Sequence, residues 1–336
     1  MTWPENPRTQ LLPDSALVYP SVERLRDAAI QETLYERLFA DNAITLPPPK
    51  RYQLRILKEL VSRIESSIID WDEHGISDNL MLALSHLLAS NLPSEATAAQ
   101  QKCYVTYHLS RLDGEAFEPH ITLLENRSLI SASGTTGLRT WEASLHLGQY
   151  LCANPHLVQN KRVLELGAGT GYLAILCAKY LHADHVIVSD GSDDVINNLP
   201  DSFFLNGLQG SEKITPMELK WGHALLGTEE ETWNGGRRID VVLGADITYD
   251  TGVIPSLVAT LVEVLHRSPD ATILIAATER NRLTFEKFLD VSTRRGLAVS
   301  YASFPVPPRT EQNGPFYSDE IPIHICQLRR NDATSE

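Results

Sequence analysis

Basic residues are in deficit in this chain. Its 336 residues include 29 Lys and Arg against 43 Asp and Glu, a formal net charge of −14. A chain charged in this way repels phosphate backbones, which argues against nucleic acid as its main substrate and is compatible with a basic protein partner. The acidity serves solubility equally well. Cysteine is scarce and dispersed. Cys103, Cys152, Cys177 and Cys326 show no paired spacing, which excludes a disulfide framework or a metal site of zinc type and fits reduced thiols in the cytosol or nucleus. No apolar run approaches the length of a membrane span. The start, Met1-Thr2-Trp3-Pro4-Glu5-Asn6-Pro7, lacks a basic region followed by an apolar one, so no secretory signal is expected. Internal repeats and low-complexity segments are missing too. What is there, 43% hydrophobic residues and a mean hydropathy of −0.17, reads as a soluble globular protein of two domains or one decorated domain.

One stretch organises the rest. Val163 to Leu166 reads as the end of a buried strand, Gly167-Ala168-Gly169-Thr170-Gly171 as a turn, and Tyr172 to Leu181 as a helix. A glycine-rich turn between a buried strand and a helix lets the backbone approach a ligand closely. The next strand, His185 to Ser189, ends at Asp190, an acid placed to accept hydrogen bonds from both hydroxyls of a ribose. A dinucleotide fingerprint needs glycine at the first, third and sixth positions. Counting from Gly167, the sixth is Tyr172, whose ring would block a pyrophosphate. The pattern is instead Glu165-x-Gly-x-Gly-x-Gly171, which resembles the first motif of the seven-strand, S-adenosylmethionine-dependent methyltransferases. In that family the acid at the turn, here Glu165, faces the methionine amino end, and the glycines admit the cofactor.

Helical periodicity dominates the first third of the chain. Ser21 is placed to cap a helix toward Ala40, Leu46-Pro47-Pro48-Pro49 breaks the chain, and helices are expected over Arg51 to Ile69 and Asp78 to Ala89. Residues 1–115 thus read as a helical N-terminal domain, either for partner recognition or as a scaffold. Lys102 to Leu109 and Pro119 to Leu124 read as strands or a hairpin. Ser131 to Trp141 is rich in small residues, and a helix capped by Thr140 is expected through Ala153. Beyond the glycine turn, helices and strands alternate. Helices are expected from Ser192 to Asn206, Val253 to His266 and Arg282 to Arg295. Strands are expected at Lys213 to Leu219, Ile239 to Ala245 and Ala271 to Ala277. Thr228 to Arg238 reads as an acidic loop. Leu297 to Phe304 and Ile321 to Leu328 close the pattern as a hairpin. This alternation predicts, for residues 116–336, an α/β domain with a doubly wound, Rossmann-like sheet whose last strand is antiparallel.

Ligands of such sheets bind outside the carboxyl ends of the strands. Gly167, Ala168 and Gly169 follow the first core strand, Asp190 the second, Trp221 the third, and Ala245 and Asp246 the fourth. Trp221 offers an aromatic face to stack on a nucleobase, or packs as an ordinary Trp. Asp246 and Tyr249 lie three apart in an end-of-strand turn, so both are placed to face a reacting methyl group, Asp246 holding an incoming ammonium and Tyr249 orienting it. The alternative readings are a turn cap and a packed ring.

A closer resemblance rests on Gly137-Leu-Arg-Thr-Trp141-Glu142-Ala143, the glycine turn, Ser189-Asp190-Gly191, Leu219-Lys220-Trp221-Gly222 and Gly244-Ala245-Asp246-Ile247-Thr248-Tyr249. This set resembles the family 16 protein methyltransferases, of which Asp-x-x-Tyr after strand four is the hallmark. Within that family, Thr-Gly-Leu-Arg-Thr-Trp, Ser-Asp-Gly and the helical N-terminal region resemble the elongation factor 2 lysine methyltransferases. The resemblance spans residues 130–330. It implies cofactor contacts at Trp141, Gly167, Ala168, Gly169, Asp190, Trp221 and Ala245, methylation of a lysine in elongation factor 2, and a cytoplasmic location. A monomer that meets neither membrane nor nucleic acid directly is expected beside it. Nucleic-acid amino-group methyltransferases carry Asn/Asp-Pro-Pro-Tyr/Phe where this chain has Asp246-Ile247-Thr248-Tyr249. Methylation of another protein, a nucleic acid or a small molecule, and a non-catalytic cofactor-binding protein, stay open as alternatives.

Overall fold

The structure is a computed structural model that describes residues 9–114, 118–126, 136–222 and 236–331. The small-residue stretch before Thr136 and most of the acidic loop from Thr228 lie outside the described residues. The chain forms two compact units, Met1–Tyr107 and His108–Glu336.

In the first unit, α1 (Val22–Leu25), α2 (Ala28–Leu38), α3 (Lys50–Ser67), α4 (Asp78–Ala89) and α5 (Glu95–Gln100) precede strand β1 (Cys103–His108). The single helix expected from Ser21 is broken in two. Asp27 accepts a hydrogen bond from Ala29 N at 2.8 Å and so starts a new helix instead of continuing the old one. The short α5 follows from Ser94, whose side chain accepts from Thr97 N. Leu34, Leu57, Leu60, Ile64 and Leu80 form the centre of this unit's core. Within it Gln31 is a buried amide with every group engaged: its Nε2 donates to Leu25 O and Gly75 O, and its Oε1 accepts from Ser77 N. A buried amide satisfied in this way fixes one packing of the helices.

The second unit opens with strand β2 (His120–Glu125) and helix α6 (Glu142–Ala153). It continues with β3 (Arg162–Leu166), α7 (Tyr172–Lys179), β4 (His185–Asp190), α8 (Asp193–Leu205), β5 (Ile214–Glu218), β6 (Val241–Ala245), α9 (Ile254–Arg267), β7 (Thr272–Thr278), α10 (Arg282–Arg294), β8 (Leu297–Tyr301) and β9 (Ile323–Arg330). Seven strands make one sheet in the order β5-β4-β3-β6-β7-β9-β8. β3, β4, β5, β6 and β7 run parallel, with Leu164 paired to Ile187 on one side and Val242 on the other. Strands covered on both faces are apolar throughout, as Val241, Val242, Leu243 and Ile273 to Ala277 are here. β9 is antiparallel to both neighbours, pairing Leu328 with Ile273 and with Val299. The closing pair is therefore antiparallel, as expected, but its connection is long and carries a 3-10 turn at Arg309–Glu311. Strand order reverses between β3 and β6, and the carboxyl ends beside that switch carry the site.

Candidate active site

The turn after β3 is shaped by backbone that only glycine adopts at low cost. Gly167, Gly169 and Gly171 have φ of +65°, +53° and +82°. A Cβ at Gly167 would lie 2.6 Å from Ile247 Cγ2, so the glycine also lets the β6 turn close over the β3 turn. Glu165 braces this arrangement from beneath. Its Oε2 accepts from Ala174 N at 3.0 Å in the first turn of α7, and its carbonyl accepts from Ser189 Oγ. Burial pushes its carboxyl up to about 8, with Asp190 adding to the rise and the Ala174 N–H opposing it. Glu165 is 3% exposed and does not line the cleft described below; its carboxyl is engaged at the strand-to-helix junction.

That cleft has a volume of about 600 Å³ and runs along the carboxyl ends of β3, β4 and β6. Its size is that of a nucleoside-scale ligand site. Gly167, Ala168 and Gly169 form its floor, and Asp190 stands at one end. Each Asp190 oxygen accepts one backbone hydrogen bond, Oδ2 from Gly169 N at 3.1 Å and Oδ1 from Ser192 N at 3.0 Å. Burial raises the Asp190 carboxyl above its ordinary value, while the N–H groups of Gly169, Ser192 and Gly191 pull it back. A carboxylate accepts at about two sites per oxygen, so both oxygens keep capacity for a diol. Trp221, after β5, and Ala245, at the end of β6, also line the cleft. Trp221 packs half-buried on the sheet core, with Cζ2 3.4 Å from where a Gly167 Cβ would sit.

Trp141 also lines the cleft. Its Nε1 donates to Thr136 O at 3.0 Å, closing residues 136–141 into an arch. The Arg139 and Arg280 guanidinium carbons lie 4.3 and 5.1 Å from its ring centroid. Glu142 joins the two cations, Oε1 to Arg139 at 3.1 Å and Oε2 to Arg280 at 2.5 Å. Thr140, the expected helix cap, does other work. Its Oγ1 donates to the fully buried Glu125 at 2.6 Å and meets Thr170 Oγ1 at 2.7 Å. Trp141 takes the N-cap position without a side-chain bond, and α6 is instead served at its start by Asp246, which accepts from Ala143 N at 3.4 Å.

Asp246 has a left-handed φ of +52° and lines the cleft, but its side chain is only 7% exposed. Its Oδ1 accepts from Thr278 N at 3.0 Å, and its Oδ2 from Thr278 Oγ1 at 3.0 Å, Arg280 at 3.3 Å and Ala143 N at 3.4 Å. Three of these donors meet Oδ2 and only one meets Oδ1, so the carboxylate is held in place while Oδ1 keeps an acceptor site. Asp246 ties the ends of β6 and β7 to the start of α6. Tyr249 is 59% exposed and lines the same cleft. Arg139, Glu142, Thr170 and Arg280 were not singled out from sequence. Arg139 and Glu142 flank Trp141 in its motif, but a charged residue near a tryptophan gives no signal of stacking until the arch is folded.

The chain is 67% identical over 317 residues to the protein-lysine N-methyltransferase EFM3 of Chaetomium thermophilum, covering 94% of each chain. It is 27% identical over 323 residues to the protein-lysine N-methyltransferase EEF2KMT of Homo sapiens, covering 91% of this chain and 88% of that one. With EFM3 of Saccharomyces cerevisiae the identity is 32% over 193 residues, 53% of this chain and 54% of that one. The lysine methyltransferase family profile matches residues 126–294, the part that holds the arch, the glycine turn, Asp190 and Asp246. The chain therefore belongs to the lysine methyltransferase family, with S-adenosylmethionine as its methyl donor.

Proposed function

We propose that this protein transfers a methyl group to a lysine side chain of elongation factor 2. The observation that carries the reading is the meeting, in one cleft, of the glycine turn and Asp190 with the Asp246–Tyr249 turn. The substrate assignment is supported by the motifs that resemble the elongation factor 2 enzymes and by full-length similarity to proteins named EFM3 and EEF2KMT. The net charge of −14 suits a protein partner over a nucleic acid. The same reading places the work in the cytoplasm, on a monomer, with the helical unit Met1–Tyr107 recognising the folded substrate.

The residues present fit the methyl donor: Asp190 with spare acceptor capacity for ribose hydroxyls, Gly167 and Gly169 without a Cβ in the cleft, and Trp221 beside them for the base. When bound, S-adenosylmethionine supplies a methyl group already activated on a sulfonium. The protein must then present the lysine nitrogen uncharged and in line. Tyr249, exposed at the cleft, shapes the lysine entrance, and Asp246 fixes the turn that carries it. Enclosure in a site of low dielectric lowers the lysine pKa, and the released proton leaves to water.

The test is incubation of the protein with labelled S-adenosylmethionine and purified elongation factor 2, followed by identification of the labelled lysine. Replacing that lysine by arginine should remove the label, because arginine keeps the charge without a free amine. Label that persists on the arginine variant refutes the acceptor, and no label on any protein refutes the activity.

A further inference from the structure

Among the described residues the cleft is lined by the acids Asp190, Asp193, Asp194 and Asp246 and by two Lys/Arg side chains, Arg139 and Lys220. The methyl donor brings a sulfonium, an ammonium and a carboxylate. An acid-rich cleft suits the first two and repels the third unless a cation is set aside for it. Lys220 is a poor candidate. Its side chain is 60% exposed and paired with Glu218 at 2.7 Å, and it lies against Gly191, next to Asp190 and hence at the ribose end.

Arg139 is differently placed. Its side chain is 20% exposed, stacked on Trp141, with Nη2 held by Glu142. Its Nε is buried and, among the described residues, has no hydrogen-bond acceptor. A buried N–H of a charged group left without an acceptor is costly, and such groups are normally satisfied. The arch that carries Arg139 rests on the glycine turn: a Cβ on Gly169 would lie 3.4 Å from Gly137 Cα. Through Glu142 and Arg280 the same guanidinium is linked to Asp246, at the end of the cleft where the acceptor turn lies. The amino-acid end of the methyl donor adjoins its sulfonium, so it falls on the Arg139 side when the ribose meets Asp190.

We infer that Arg139 receives the carboxylate of the methyl donor's amino-acid end through its Nε–H and guanidinium charge, while Glu142 holds the guanidinium in place. This rests on the cleft being the site of S-adenosylmethionine. It gives Arg139 a binding role separate from its stacking on Trp141.

The experiment compares two ligands by calorimetry on the full chain. S-adenosylhomocysteine has the carboxylate; 5′-methylthioadenosine shares the adenosine and thioether but lacks the amino-acid end. Arg139→Ala should weaken S-adenosylhomocysteine roughly 10–100-fold, the range for one charge-assisted hydrogen bond, and change methylthioadenosine by no more than about twofold. Arg139→Lys keeps a cation beside Trp141 but has no Nε–H, and should show the same selective loss to a smaller degree. It carries the test should the alanine variant fail to fold. Equal weakening of both ligands makes Arg139 a prop for Trp141 and overturns the inference, as does unchanged S-adenosylhomocysteine affinity. Failure of the unsubstituted protein to bind either ligand would refute the cofactor site itself and not Arg139 in particular.

Discussion

Replacing Asp246 by Asn removes one charge while keeping shape, and the structure sets what it should cost. The amide oxygen can still accept from Thr278 N, and the Thr278 hydroxyl can turn to accept from the new amide nitrogen. Ala143 N and the Arg280 guanidinium then face a donor. Arg280 is 38% exposed and rehydrates at little cost, which leaves mainly one buried backbone N–H without a partner. That is worth about 1–3 kcal/mol. Asn tolerates the left-handed backbone at this position, so no strain is added. Asp246→Ala abandons all four donors and also places Ala at φ +52°, which adds about 1–2 kcal/mol. At roughly 2–4 °C per kcal/mol for a domain of this size, Asn should lower the unfolding temperature by roughly 2–12 °C and Ala by clearly more. Thermal unfolding without ligand, followed by methyl transfer per folded molecule at a temperature where each variant is folded, separates stability from chemistry. An Asn variant that melts with the unsubstituted protein yet loses methyl transfer by orders of magnitude would refute the positioning role and return Asp246 to direct contact with the lysine.

Three further outcomes are expected. Asp190→Ala should weaken S-adenosylhomocysteine by about 1.5–3 kcal/mol in calorimetry, the worth of hydrogen bonds to a charged acceptor, and unchanged affinity would remove the ribose assignment. Tyr249 has no hydrogen bond to its hydroxyl among the described residues, so Tyr249→Phe should leave turnover within about twofold while Tyr249→Ala lowers it roughly tenfold or more; equal losses would make the hydroxyl essential. The third concerns pH. Glu165 is pushed up from 4.5 to about 8, so the folded chain binds the extra proton and stability falls as pH rises through that window, by up to about 1.4 kcal/mol per unit. Buried His146 is pushed down from 6.5 to about 4, so stability falls as pH drops through its window. The two slopes oppose each other below pH 6.5, and the Glu165 decline stands out between about pH 6.5 and 8. Glu165→Gln should flatten that decline in urea unfolding, and an unaltered profile would show that Glu165 is already ionised in the folded chain.

The parallel sheet was legible because its strands are apolar runs separated by helical periodicity, and each of its five parallel strands lies within two residues of where the pattern put it. The glycine turn and Asp190 were legible because their chemistry is local: three glycines with positive φ and an acid at the next strand end. What escaped was non-local. Thr140 has the composition of a cap, but a buried Glu125 and Thr170 outbid the helix for its hydroxyl. Asp246 looked available at a strand tip, and nothing in Asp-Ile-Thr-Tyr reveals that Thr278, Arg280 and Ala143, each more than 30 residues away in sequence, converge on it. Glu165 sits inside the motif but on the inward face of a strand, and alternation alone does not say which face the ligand takes.

The position of β9 has a bearing on how the chain comes off the ribosome. β9 is the latest strand in sequence but lies inside the sheet, between β7 and β8. Until Ile323–Arg330 is synthesised, β8 has no neighbour and β7, with Ile273 to Ala277 destined for burial, keeps one open edge. An apolar edge of this kind is a template for pairing with other chains. The interval between making β7 and making β9 is therefore the nascent chain's exposure to aggregation, and a product ending at Glu320 should collect in inclusion bodies even though its cleft residues are all present.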